Sequence, residues 1–311
     1  MEFENRSNST SIAENVPFRY PEYLQLIVGI IGVIGNALVF ILVAKVKFLQ
    51  TTPNLFVASL AMTDLLASLL ILAKLVYMTY PVPDYFHMTL YCKVVLSDVF
   101  FWMTAISSVF ILIGVTIDRF CAIVYPFRYQ ASFTNAKAYI LIVLAWMLAI
   151  VFVLFIPFVY EYQNGKCLQD FNNRTHQVVT GIGFFLFTYI FPMIFMVFAY
   201  TKMFKVICNA SSDVQSQSSA ISSRVRILKM LTTVVVVFFI CWSPNQWMYF
   251  LLSTFEVRVD FYSTYYETTV LMCLGNSCIN PFIYALKSRQ FYEGFRTLVG
   301  CTNTIDHVDG I

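Results

Sequence analysis

Seven apolar runs, at about residues 23–47, 55–80, 91–123, 137–160, 178–207, 225–253 and 262–286, dominate the chain. Each exceeds the roughly 20 residues that a helix needs to cross about 30 Å of hydrocarbon. Of the 311 residues 59% are hydrophobic and only 12% charged, too little polar surface to wrap these runs around one water-facing core. Inside a bilayer each segment must satisfy its own backbone hydrogen bonds, which helices do. The expected fold is therefore all-α and membrane-embedded, a seven-transmembrane helix bundle. The run from Cys92 to Ile123 is longer than a span requires, which implies a tilt or a projection beyond the membrane.

The expected organisation is an N-terminal segment 1–22, a membrane domain 23–286 and a tail 287–311, with no internal repeat. No small-residue cleavage pattern follows the first run, so a cleaved signal peptide is not expected. Basic residues collect on one side of the seven-helix count, among them Lys45, Lys47, Arg128, Lys137, Lys202, Lys229 and Lys287. Most acids lie on the other, which places the N-terminus outside the cell. Asn5, Asn8 and Asn173 begin N-glycosylation triplets on that outer side; Asn209 begins one on the inner side. Of eight cysteines only Cys92 and Cys167 fall in an oxidising compartment, so a disulfide between them is expected, against two unrelated thiols. Residues 209–224 are Ser/Gln-rich and read as a linker. After the seventh run, Phe291, Phe295, Leu298 and Val299 recur opposite Lys287, Arg289, Glu293 and Arg296, an amphipathic eighth helix on the lipid surface, with Cys301 a lipid attachment point.

Polar residues at mid-membrane are costly, and here they cluster. Asp64 in "SLAMTDLLASLL" is the deepest; Asn36, Ser107 or Ser108, and Asn276, Ser277 and Asn280 of "LGNSCINPFIY" fall at similar depth. Together they suit a water cluster or a hydrated Na⁺, with Pro281 releasing a carbonyl to that water; the alternative is that the amides simply join helices. At the other end of the third helix, Asp118 and Arg119 are adjacent, either a releasable pair or a solvated cap.

These features, taken in order, resemble a rhodopsin-like G-protein-coupled receptor from "GNALV" at 35–39 to "SRQFYEGF" at 288–295. Gly35-Asn36, "SLAMTDLL", Asp118-Arg119-Phe120, Trp146, Pro192 with Tyr200, Cys241-Trp242-Ser243-Pro244 and Asn280-Pro281-Phe282-Ile283-Tyr284 carry the likeness. The resemblance implies a sodium pocket of Asn36, Asp64, Ser108, Asn276, Ser277 and Asn280. It implies a ligand sensor at Trp242 above the Pro244 kink, a packing switch of Phe238, Pro192 and Val109, and release of Arg119 from Asp118 toward Tyr200 and Tyr284. It implies contacts to a heterotrimeric G protein from Arg119, Pro126 and Phe127, with kinases, arrestin and membrane lipids as further partners and nucleic acid excluded.

Three departures from the family pattern stand out. Phe120 replaces a usual tyrosine, Arg224 stands where a glutamate is common, and Cys92 lies two residues farther from Arg119 than usual. Counted from Arg119, the position where amine receptors carry aspartate is Phe101; counted from Cys92 it is Val99. The expected ligand cavity is wide, aromatic and of mixed charge, lined by Lys74, Asp98, Phe101, Trp102, Gln246, Tyr249, Tyr265, Tyr266 and Glu267. That is closer to the peptide-binding branch than to amine receptors. A transporter is disfavoured by the lack of paired broken helices, and an enzyme because His87, His176 and His307 form no metal motif.

Overall fold

The computed structural model describes residues 20–78, 85–163, 166–171, 173–213, 218–255 and 263–300. Its membrane-competent helices are α1 (Tyr20–Lys45), α2 (Thr52–Tyr77), α3 (Phe86–Val124), α4 (Asn135–Val159), α5 (Arg174–Asn209), α6 (Val225–Thr254) and α7 (Thr264–Lys287). A shorter α8 covers Arg289–Leu298. Helix starts follow ordinary capping chemistry. Pro53 sits in the first turn of α2. The Asn173 side chain accepts from the Thr175 amide at α5, and Ser263 accepts from the Tyr266 amide at α7.

Helix α3 packs against α2, α4 and α5, while α7 packs against α1, α2 and α6. In its most apolar stretch 72% of α3 is buried, against 22% for α4, so α3 is the central strut and α4 faces lipid. Small residues bring α1 close to its neighbours. A Cβ on Gly32 would lie 2.3 Å from Ser68 Oγ and 2.7 Å from Cys278 Sγ, and one on Gly35 would lie 3.0 Å from the Pro281 ring.

The helices are interrupted where the sequence demands it. Pro192 cannot donate to the turn before it, and the ladder widens into a π turn over Leu186–Ile190 just ahead of it. In α3 a π turn spans Cys92–Leu96, and Asp98 follows in the left-handed region with φ 56° and ψ 26°. A π turn holds more residues per turn than an α turn, and the left-handed residue redirects the chain. The extra length between Cys92 and Arg119 is taken up in this break.

Beyond α4, Tyr160–Gln163 (β1) and Lys166–Gln169 (β2) form an antiparallel hairpin in which Tyr162 faces Cys167. Cys167 is bonded to Cys92, which ties the hairpin to the start of the π turn. At the opposite end, α8 buries Phe291 and holds Gly294 against Leu49. Helix α8 stops at Leu298, so Val299 of the expected apolar face lies just past its end. Asn5, Asn8 and Cys301 fall outside the described residues.

Candidate functional site

The mid-membrane cluster joins three helices. The Asn280 amide donates to Asp64 Oδ2 at 2.9 Å. Asn36 donates to the Ser277 carbonyl at 2.9 Å and to the Gly32 carbonyl at 3.0 Å. Ser277 stands one turn before Pro281, which has no N–H, so its carbonyl is the one the proline frees. Its protein partner is the Asn36 side chain, held near by the Gly35 contact, which leaves the second lone pair of the carbonyl for the expected water. Ser108 donates to Ala105 of its own helix at 2.9 Å and makes no direct bond to Asp64.

Four buried oxygens in this cluster, Asn36 Oδ1, Asp64 Oδ1, Asn276 Oδ1 and Asn280 Oδ1, have no protein partner. A buried acceptor left unpaired costs about 1–3 kcal/mol, so a carboxylate oxygen and three amide oxygens in one cluster call for a cation or donors. One carboxylate with several neutral oxygens suits a hard monovalent cation. The residues therefore fit the expected Na⁺.

At the Arg119 end, Arg119 Nε donates to Asp118 Oδ2 at 2.7 Å and the Tyr129 hydroxyl donates to Asp118 Oδ1 at 2.7 Å. Tyr129 lies on a short helix, Pro126–Ser132. Burial, reinforced by the bond to Asp118, pushes the Tyr129 phenol up to about 12, so it stays protonated and donates at physiological pH. Tyr284 stacks on Phe291 of α8 with centroids 5.5 Å apart, and its hydroxyl has no partner. A cavity of about 240 Å³ opens here, lined by Arg119, Pro126, Tyr129 and Leu228, with Phe127 89% exposed beside it. The Arg224 side chain is outside the described residues.

Asp118 thus holds Arg119 with Tyr129 as its second clamp. Asp118→Asn is expected to raise ligand-independent signalling about five-fold, the yield of about 1 kcal/mol in a two-state switch whose active state is rare, and Tyr129→Phe to raise it less. Unchanged basal signalling in both variants, at matched surface expression, would remove the clamp from the account.

Between these ends the aromatic core is continuous. Trp242 packs on Phe238 at 5.2 Å and meets Trp102 edge-on at 6.5 Å. Phe238 and Val109 are fully buried, and Pro192 is buried beside the π turn of α5.

At the disulfide end, Trp102, Tyr249 and Tyr266 line a cavity of about 30 Å³ with Tyr160 and Gln169 of the hairpin. Next to it Lys74, Asp98, Tyr266 and Glu267 line a recess of about 20 Å³. The cavity is aromatic and of mixed charge as expected, but narrow rather than wide, because the hairpin side chains roof it. Lys74 Nζ meets Asp98 Oδ2 at 2.6 Å, both residues 8% exposed. Gln25 of α1 donates to Glu267 Oε2 at 2.7 Å.

Two expected lining residues are corrected. Tyr265 is 70% exposed and points away, because α7 begins at Thr264 and its phase turns Tyr266 and Glu267 inward. Phe101 lines an adjoining cleft on the α2 side together with Lys74, Asp98 and Tyr77, while Ser97 and Trp102 face the aromatic cavity. Gln246 is buried and its Oε1 accepts from Thr188 at 3.2 Å, bridging α5 and α6.

The model of the 7 transmembrane receptor (rhodopsin family) matches residues 35–284. The chain belongs to this receptor family. The receptor is 27% identical to the allatostatin-A receptor of Bombyx mori, over 88% of its own length and 78% of that protein's. It is 27% identical to galanin receptor 2a of Danio rerio, covering 88% and 76%, and 25% identical to the substance-P receptor of Aquarana catesbeiana, covering 87% and 68%. Seven spans and this family make it a multi-pass protein of the plasma membrane.

Sequence reasoning missed several of the receptor's site residues, Tyr129, Gln25 and Tyr160 among them. Tyr129 could have been found from its place one turn after Pro126, on the helix that faces Asp118. Gln25 and Tyr160 carried no signal: a glutamine at a helix start and a tyrosine in a loop are too common. Asn173, an expected glycan acceptor, is exposed and serves as the cap of α5.

Proposed function

We propose that this receptor binds a peptide at its disulfide end, outside the cell, and activates a heterotrimeric G protein at its Arg119 end. The observation that carries the peptide reading is the Lys74–Asp98 pair. The carboxylate of amine receptors stands on α3, and here Asp98, the acid on α3 that borders the cavity, is already paired with a protein cation. The names of the relatives, receptors for galanin, allatostatin-A and substance P, support the same reading. Basic residues gathered at the Arg119 end support an extracellular N-terminus. Arg119, Pro126 and Phe127 would meet the G protein in the 240 Å³ cavity as α6 moves aside. Cells expressing the chain, exposed to a peptide library and a biogenic-amine library and read by second messenger, test this: activation by amines alone would overturn it.

Glycosylation at Asn5, Asn8 and Asn173, regulation by kinases and arrestin, and lipid contacts at α8 complete the proposal. A bound Na⁺ would be held by Asp64 with the oxygens of Asn36, Asn276, Ser277 and Asn280, and would supply positive charge to their unpaired acceptors. Asp64→Asn keeps the shape and removes the charge. Sodium at physiological concentration should then no longer lower agonist affinity, an effect of about ten-fold lost in the mutant. Retained sodium sensitivity would place the ion elsewhere.

A further inference from the structure

Among the described residues, the charges that line one recess at the disulfide end, those of Lys74, Asp98 and Glu267, do not balance. Lys74 is committed to Asp98 at 2.6 Å. Glu267, only 7% exposed, has one hydrogen-bond partner among the described residues, the neutral Gln25 amide. Asp98 and Glu267 are near enough to repel each other. The first turn of α7 gives Glu267 some dipolar support, but a helix end supplies about half a charge at most. Glu267 lines the recess of about 20 Å³ beside the aromatic cavity, space for one group of water or ammonium size.

We infer that this recess receives a primary ammonium group of the ligand, its positive charge completing the Lys74–Asp98–Glu267 set. The inference rests on the peptide reading above and sharpens it: the group is either the free N-terminal amine or a lysine side chain. A guanidinium is larger than the recess as this structure shapes it. The body of the ligand would continue into the adjoining cavity lined by Trp102, Tyr249 and Tyr266.

Two measurements test it. Purified full-length receptor in detergent is melted with n-butylammonium, n-butylguanidinium or butanol at constant ionic strength, as wild type and as Glu267→Gln. The ammonium should raise the melting temperature of wild type only, by a few degrees, and the variant alone should melt no lower than wild type because a buried charge bonded to no cation among the described residues is gone. No ammonium shift in wild type, or an equal shift in the variant, overturns the inference. In cells, matched peptide libraries with free or acetylated N-termini, each with lysine or norleucine, are compared on wild type and Glu267→Gln. Loss of the decisive amine, or of Glu267, should each weaken potency about thirty-fold, and the two losses together should be no worse. Acetylation-sensitive activity assigns the N-terminus; norleucine-sensitive activity assigns lysine. Peptides that activate regardless of amines overturn the recess and leave the peptide reading intact. A melting shift that needs Glu267, with no active peptide in either library, keeps the recess and removes the peptide reading.

Discussion

Lys74→Met will destabilise the receptor by about 3–5 kcal/mol, while Lys74→Met combined with Asp98→Asn will cost much less than the two single changes added. Without Lys74 the Asp98 carboxylate is left facing Glu267, in a site 8% exposed. Removing both leaves a neutral amide, and asparagine tolerates the left-handed backbone that Asp98 adopts, where most residues would add about 1–2 kcal/mol of strain. Melting of purified receptor and surface expression, in a four-member cycle, read the coupling. Additive losses below about 1 kcal/mol each would mean that water reaches the pair. Asp98→Ala by itself is consequently a poor test of amine binding: it would damage the fold before it reported on the ligand.

Cys92→Ala and Cys167→Ala should each remove most surface receptor, and the double variant should match either single because all three lack one bond. The cysteines are 75 residues apart. Chain entropy alone gives about 4 kcal/mol for such a loop. That is an upper limit, since helices persist in the bilayer after tertiary contacts are lost. The functional loss should exceed the loss of stability, because the hairpin that roofs the ligand cavity hangs from Cys167. Losses that add in the double variant would contradict the pairing.

Much of the architecture was legible because hydrocarbon leaves a sequence few options. Helix α2 was expected from residue 55 and begins at Thr52; α7 was expected from 262 and begins at Thr264. The Asp64–Asn280 bond was legible too, since a buried acid and amide at one depth in neighbouring helices have few other partners. The Lys74–Asp98 bond was not. It depends on a backbone angle, and no residue pattern separates a left-handed aspartate from a helical one when neither neighbour is glycine. The count from Cys92 to Val99 went astray for the same reason: two residues of phase were lost in a turn that the sequence does not mark. At α7 the error was smaller, since placing Tyr265 with Tyr266 ignored that adjacent helical residues diverge by about 100°.

The break in α3 also bears on how such a molecule diversifies. Below Asp98 the helix is regular down to the Asp118–Arg119 pair, and its rotation is fixed by packing on α2, α4 and α5. Above it the π turn and hairpin follow their own register, pinned by the disulfide. A joint of this kind behaves like a slip ring: insertions on the ligand side are absorbed locally and never turn the shaft beneath. Variation in what is recognised can then accumulate at one end while the transmission at the other stays under its own constraint, and residues carried across this joint by simple counting will land on the wrong face.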